Sequence, residues 1–173
     1  MIFLTGGSGF IGTHILRHLA MAGQHIISFS FTPPSQSANY FLDDFSSQIE
    51  FIQGDIRDPG RISEILYSNK CSCIIHCAAI NGELAARADP NRTVGVNVAG
   101  TSSVLSAAIS NDVRRFVYVG SGTQYGPKPD LKPIRETTPA QPEGIYATSK
   151  QMAEMYGHAL AKLTGLDFVS VRI

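Results

Sequence analysis

No stretch of this 173-residue sequence approaches the roughly 18 to 20 uninterrupted apolar residues of a membrane helix. An excess of either charge is missing too: Lys+Arg 14 balances Asp+Glu 14, so the formal net charge is zero and nothing draws the chain to nucleic acid or an anionic membrane. No charged segment precedes the first apolar run. Met1-Ile2-Phe3-Leu4 turns at once into Thr5-Gly6, which leaves no room for a secretory leader, and a cytoplasmic location is expected. Cysteine is scarce, and Cys71, Cys73 and Cys77 crowd around one predicted strand, where neighbours cannot easily pair. They are expected to be reduced, and with no second cluster of Cys or His at ligand spacing no metal site is expected. Internal repeats and low-complexity segments are lacking as well. What remains, 43% hydrophobic and 16% charged, is the composition of one globular domain over residues 1–173 that can bury a core of its own.

Apolar periodicity alternates between strand and helix along the whole chain. The predicted strands are Ile2 to Thr5, His25 to Ser30, Ile49 to Ile52, Cys73 to Cys77, Phe116 to Val119 and Asp167 to Arg172. The predicted helices are Gly9 to Ala22, Gly60 to Tyr67, Pro90 to Ser110 and Ile145 to Leu163. Most of these strands are short and apolar on both faces, the pattern of a parallel sheet covered by helices on each side. An α/β doubly wound sheet follows. Two longer stretches read as irregular: Thr32 to Ser47, and Gly120 to Gly144 with five of the nine prolines. The second begins directly after the fifth strand, where loops at the carboxyl ends of parallel strands build binding sites.

Gly6, Gly9 and Gly12 form G-x-x-G-x-x-G between a strand and a helix. Such spacing supplies a tight turn, a bare backbone against a pyrophosphate and close helix-to-sheet packing. The amino terminus of the helix adds free N–H groups and a partial positive charge. A second constellation lies downstream: Tyr146 and Lys150 in YATSK, with Ser121 placed 25 residues before the tyrosine. A free tyrosine has a pKa of about 10, so it is a poor base unless a cation stabilises the phenolate. Lys150, one helical turn along on the same face, can provide it. Ser121 could hold a reacting oxygen near the tyrosine. Together with a dinucleotide cradle, these residues suit hydride and proton transfer at one carbon. Asp55 also reads as a turn or capping carboxylate, His76 as a structural strand residue, and Asn97 as bonding nearby backbone.

TGGSGFIG at Thr5 to Gly12, GDIRD at Gly54 to Asp58, HCAA at His76 to Ala79, NVAGT at Asn97 to Thr101, Ser121 and YATSK occur in one order from residue 2 to residue 173. In this order they resemble the extended short-chain dehydrogenase/reductase family, and within it the NAD-dependent epimerase/dehydratase group acting on nucleotide sugars. The resemblance implies a Rossmann-like sheet of strand order 3-2-1-4-5-6. It also implies that Phe10 and Ile11 approach the pyrophosphate, that Asp55 and Ile56 bracket the adenine, and that Cys77, Ala78 and Ala79 line the strand end beside the cofactor riboses. Tyr146 becomes base and then acid, and Lys150 lowers its pKa and bonds the nicotinamide ribose. The family's sugar 4,6-dehydratases carry an Asp-Glu pair after the hydroxyl residue, where this chain has Gly122 and Thr123. Dehydration and decarboxylation are thereby disfavoured, and Thr123 resembles the small polar residue of the 4-epimerases. The reading is an NAD(P)-dependent nucleotide-sugar epimerase or epimerase/reductase. Its alternatives are a non-catalytic dinucleotide-binding protein and a reductase or dehydrogenase on a non-sugar substrate.

Two further expectations come from departures. The second strand ends in Ser28, Ser30 and Thr32, with neither an acid for the ribose 2′-hydroxyl of NAD nor an Arg for the 2′-phosphate of NADP, so Ser30 is expected at the cofactor without deciding between the two. Family members continue into a carboxyl-terminal substrate domain, and this sequence stops in its sixth strand, so a truncated chain lacking most of that domain, and inactive by itself, is expected. A homodimer through Pro90 to Ser110 and Ile145 to Leu163 is also implied, with Ala99, Val104, Ala107, Ala153, Gly157 and Ala161 allowing close packing.

Overall fold

A computed structural model describes residues 1–127 and 133–173; the middle of the proline-rich stretch read as irregular, 128–132, lies outside the described residues. Six parallel strands form one sheet in the order β3-β2-β1-β4-β5-β6: β1 (Ile2–Thr5), β2 (Ile26–Ser30), β3 (Ile49–Gln53), β4 (Cys73–His76), β5 (Arg115–Gly120) and β6 (Asp167–Arg172). The order reverses between β1 and β4. Ligands of such sheets bind at that switch, outside the carboxyl ends of the strands.

Alternation along each strand sends side chains to two separate cores. Phe3, Ile27, Phe29, Ile74, Phe116 and Tyr118 go to one face, with Ile62 and Leu66 of α3 (Pro59–Ser68), Val104 and Leu105 of α6 (Thr101–Ser110) and Ala153 of α7 (Ile145–Thr164). Leu4 and Ile26 go to the other, under Leu16 and Ala20 of α1 (Phe10–Met21) and Leu42 of α2 (Gln36–Leu42). Each fully buried Leu or Phe is worth about 1.5–3 kcal/mol. The outer strands are less covered than the sequence suggests. Val169 and Val171 of β6 keep 41% and 43% exposure, because only their neighbours Phe168, Ser170 and Arg172 turn toward α7.

Local chemistry sets the helix ends. Asp58 accepts the Arg61 N–H ahead of Pro59, starting α3, and Gly165, left-handed at φ 77°, stops α7. Four short helical segments are absent from the sequence reading: α2, the 3₁₀ turn Asp43–Phe45, α4 (Glu83–Ala88) and the 3₁₀ turn Gly122–Tyr125. Each is one or two turns long, too short to show periodicity; Ser35 caps α2 by accepting the Ala38 N–H, and Ser121 caps the Gly122–Tyr125 turn.

The helix from Pro90 to Ser110 is continuous but not uniform. After α5 (Pro90–Val94) it widens into a π-helical stretch over Gly95–Gly100 and then becomes α6. By length and composition it could cross a membrane, with a mean hydropathy of 1.2 over 18 residues, but 44% of that window is buried in the fold. Its apolar side goes to the sheet. The same packing corrects the small-residue argument for a dimer: Val104, Ala107, Ala153 and Gly157 lie inside the chain's own core, and a Cβ on Gly157 would meet the Phe168 ring. Outward from these helices point Val94, Met152, Met155 and Tyr156 instead.

Candidate active site

A cleft of about 770 Å³ opens along the carboxyl ends of the strands. At one end β1 passes through Gly6, left-handed at φ 76°, where a side chain would lie 2.7 Å from the Ala78 nitrogen. Gly12 has no room either, since a Cβ would stand 2.7 Å from Gly7 Cα and closer still to the Gly6 carbonyl. The turn is braced by the Gly6 N–H on the Phe29 carbonyl (2.8 Å) and the Thr13 hydroxyl on the Gly7 carbonyl (3.0 Å). Helix α1 then starts at Gly9 with no side-chain cap and no acid in its first turn. Its first N–H groups and the positive end of its dipole are left for an anion in the cleft. Phe10 and Ile11, both exposed, form the lip.

Beside this cradle, Ser30 ends β2 with its hydroxyl accepting the Ser8 N–H (3.2 Å), and Ser8 meets Thr32 at 3.5 Å. Asp55 also lines the cleft, but its carboxylate is held by Arg57 in a bidentate pair at 2.5–3.0 Å, which keeps the carboxyl below its usual range. The Ile56 side chain is buried beneath the π-helical segment, against Gly100, and does not line the cleft. A loop residue between two cleft-facing ones turns inward because the core needs it.

From β4, Cys77, Ala78 and Ala79 form the floor between the two ends. Burial pushes the Cys77 thiol up to about 12, although nearby Lys150 opposes the shift; it is a small, un-ionised wall. All three cysteines are free. His76 is fully buried, its ring nitrogens 2.7 Å from the Thr5 hydroxyl and 2.9 Å from that of Thr101. Burial, helped by the Lys150 charge, lowers it to about 3, so it stays neutral and pins β1, β4 and α6. Asn97 bonds the backbone N–H and carbonyl of Ile80 and the Ser149 hydroxyl, fastening the floor to α7.

The far end carries the candidate reactive groups. Ser121, at the tip of β5, and Tyr146 and Lys150, one turn apart in α7, share the cleft wall. Thr123 is not on that wall; its hydroxyl lies 2.9 Å from that of Ser121. Lys150 is 3% exposed, with its ammonium 4.3 Å over the ring of Tyr118. Desolvation pulls it down to about 8, against the pull of Cys77 and Glu154 toward the charged form. Burial raises the Tyr146 phenol above its ordinary value, and the Ser121 hydroxyl works the other way. The first turn of α7 is held from outside. Glu83 of α4 accepts the N–H of Ile145 (3.1 Å) and of Tyr146 itself (3.0 Å), and also pairs with Arg87. Gly144 has to be glycine there, at φ 86° and with the Glu83 carboxyl 2.6 Å from any Cβ.

A model of the NAD dependent epimerase/dehydratase family matches residues 2–173. The chain belongs to that family. It is 29% identical to a UDP-glucose 4-epimerase of Lacticaseibacillus casei over 99% of this chain and 50% of that one. Of solved structures, a UDP-glucose 4-epimerase of Thermus thermophilus in complex with NAD superposes at a TM-score of 0.89 with 26% identity, covering 99% of this chain and 54% of the other. A dTDP-glucose 4,6-dehydratase of Streptomyces venezuelae with NAD bound gives 0.89 and 28%, with 99% and 55% coverage. The chain spans about half the length of the curated relatives it matches.

Of the residues named from sequence, Gly6, Gly9, Phe10, Ile11, Gly12, Ser30, Asp55, Cys77, Ala78, Ala79, Ser121, Tyr146 and Lys150 are brought to one cleft. Sequence reasoning missed the charges along its rim, Arg57 and Arg92, and the supports of the reactive end, Tyr118, Glu83 and Gln124. Arg57 stands inside the GDIRD motif, two residues from Asp55, and could have been found there. Glu83 could not, since its partner lies more than sixty residues away.

Proposed function

We propose that this chain is the dinucleotide-binding and catalytic portion of a nucleotide-sugar epimerase, or epimerase/reductase, that works with NAD(P). The observation that carries the reading is a single cleft with a side-chain-free anion cradle at one end and Ser121, Tyr146 and Lys150 at the other. The cradle fits a pyrophosphate because α1 begins uncapped and without a first-turn acid. Gly6, Gly9 and Gly12 would let the diphosphate reach the N–H groups of Phe10 and Ile11. Ser30 and Asp55 would meet the adenosine half, with the Ile56 backbone beside them, and Cys77, Ala78 and Ala79 the riboses. NAD is favoured by the neighbours crystallised with it.

When bound, the nicotinamide ring accepts two electrons and a hydrogen as hydride from a carbinol carbon and can return them. Tyr146 takes the hydroxyl proton as that C–H bond breaks and the C=O bond forms, and gives it back when the carbonyl is reduced. Return to the opposite face inverts the centre; return to the same face regenerates the substrate. The phenol, raised by burial, needs the Lys150 ammonium to ionise near neutral pH. Lys150, at about 8, carries that charge at pH 7, and a phenolate beside it would favour the charge further. Ser121 holds the reacting oxygen, and Thr123 orients the Ser121 hydroxyl. A homodimer through the exposed residues Val94, Met152, Met155 and Tyr156 completes the reading.

The test is Tyr146→Phe in the protein with any natural carboxyl-terminal continuation. Turnover of a UDP- or dTDP-sugar should be lost while calorimetric binding of NAD or NADP is unchanged. Unimpaired turnover would refute the acid/base assignment, and absence of dinucleotide binding by the unaltered protein would refute the reading itself.

A further inference from the structure

One buried charge belongs to no part of the cleft wall. Glu154 lies on α7 four residues beyond Lys150 and eight beyond Tyr146, is 4% exposed, and accepts hydrogen bonds from the Ser170 hydroxyl (2.6 Å), the Arg172 guanidinium (Nε at 3.0 Å, Nη2 closer) and the Gln124 carboxamide (3.0 Å). These bonds outweigh the cost of burial and hold its carboxyl at about 2. Stability alone is a poor account of such a pair, since an apolar replacement of equal volume is often as stable. Position is a better one. A carboxylate only accepts, so Gln124 must turn its NH₂ toward Glu154, where Gln151 also accepts from it (2.8 Å). The carboxamide oxygen is then left for one donor, the backbone N–H of Ser121, at 2.7 Å. That oxygen packs so tightly that a Cβ on Gly120 would lie 2.8 Å from it.

We propose that Glu154 is a positioning residue: through the enforced orientation of the Gln124 carboxamide it fixes the backbone of Ser121, and with it the hydroxyl that faces Tyr146 in the cleft. The consequence for turnover rests on the reading of Ser121 given above; the consequence for its backbone does not. Gln124, Ser170 and Arg172 Nε all donate to the same oxygen, Oε2. Glutamine at 154 can keep its carboxamide oxygen there, so that only the bond from Arg172 Nη2 is lost and the orientation of Gln124 survives. Leucine at 154 leaves no acceptor, and the Gln124 NH₂ is then held by Gln151 alone.

The measurement is amide hydrogen exchange by NMR on the unaltered chain, on Glu154→Leu and on the conservative Glu154→Gln, with Gln124→Met as a variant that removes the acceptor of the Ser121 N–H without touching Glu154. Glu154→Leu and Gln124→Met should speed Ser121 exchange about tenfold, the worth of one hydrogen bond. Exchange in the middle of α7 should stay unchanged, and Glu154→Gln should keep protection at Ser121. Where turnover is measured with the dinucleotide and a nucleotide sugar, kcat should fall about tenfold in Glu154→Leu with KM for the dinucleotide unchanged, and stay near the parent value in Glu154→Gln. Wild-type protection of Ser121 in both Glu154→Leu and Gln124→Met overturns the proposal, as does a loss of protection in Glu154→Gln equal to that in Glu154→Leu. An unaltered protein that binds dinucleotide but turns nothing over would overturn the functional reading and leave the exchange result to decide this one.

Discussion

Replacing Lys150 by methionine removes a buried charge, 3% exposed, and keeps most of its volume. Its pKa falls from 10.5 to about 8 because the ammonium is desolvated, with Cys77 and Glu154 opposing the fall, which corresponds to roughly 3 kcal/mol at about 1.4 kcal/mol per tenfold change. Methionine fills the stem and loses the attraction to the Tyr118 ring, worth about 0.5–2 kcal/mol. The variant should therefore be more stable than the parent at pH 7 by about 1–3 kcal/mol. The pH dependence follows from the direction of the shift. A base whose folded pKa lies below its unfolded one has released its proton in the folded chain while the unfolded chain still holds it, between about 8 and 10.5. Stability of the parent thus rises with pH across that window and is flat in this group below it. The advantage of the variant is full below about pH 8 and fades toward pH 10.5. Tyr118 and Tyr146 titrate in both chains and cancel in the difference between them, while Cys77 also loses the opposing pull of the Lys150 charge in the variant. Urea unfolding at pH 7 and pH 10, with equal m values, measures it. A variant less stable at pH 7, or an advantage independent of pH, would refute the reasoning.

At the other end of the cleft, Gly12→Val puts a branched side chain against the Gly6 carbonyl and Gly7 Cα. It should cost about 1–3 kcal/mol in thermal unfolding and abolish calorimetric binding of NAD and NADP; unimpaired binding would refute the cradle. For the dimer, Met155→Asp places a charge among the exposed residues Met152, Met155 and Tyr156 and should convert a dimer to a monomer in sedimentation equilibrium with the fold unchanged. A parent that is monomeric at micromolar concentration would remove that interface.

The six strands and their helices were legible because parallel strands buried on both faces are short apolar runs, and because the helices covering them keep a 3.6-residue period. The glycine spacing and YATSK were legible for a related reason. A backbone that must approach a neighbour, and two side chains that must share a helical face, leave their mark in local spacing. Ile56 shows the limit of local spacing: the resemblance puts it with Asp55 at the cofactor, and nothing in the motif announces that its side chain packs beneath Gly100. Four of the six residues named for a dimer, Val104, Ala107, Ala153 and Gly157, are buried in the chain's own core, since a small side chain on a helix reads alike whether it meets a partner or, as Gly157 does, its own Phe168; Ala99 is exposed and Ala161 half-buried. Glu83 and Tyr118 were not legible at all, since each acts through a partner brought near only by folding. Gln124 was legible in part: Ser121-x-x-Gln124 has the spacing of a capping box, while its bond to Glu154 leaves no local mark.

That division explains the composition of the reactive end. Tyr146 and Lys150 are held by α7, yet α7 alone cannot fix them. Its first turn has glycine at the cap and is closed by Glu83 from α4. Its middle is tied to the floor by Asn97 and Ser149, and Tyr118 of β5 donates to the Lys150 carbonyl at 3.2 Å. Glu154 joins it to β6 and, through Gln124, to Ser121. Five separate segments thus bear on one helix within three turns. In the proposed reaction the reacting oxygen is met by Ser121 on one element and Tyr146 on another, and misplacement by about 1 Å can cost a hundredfold in rate. Polar ties of defined direction suit that demand better than apolar contacts, which hold volume but leave rotation about the helix axis less determined.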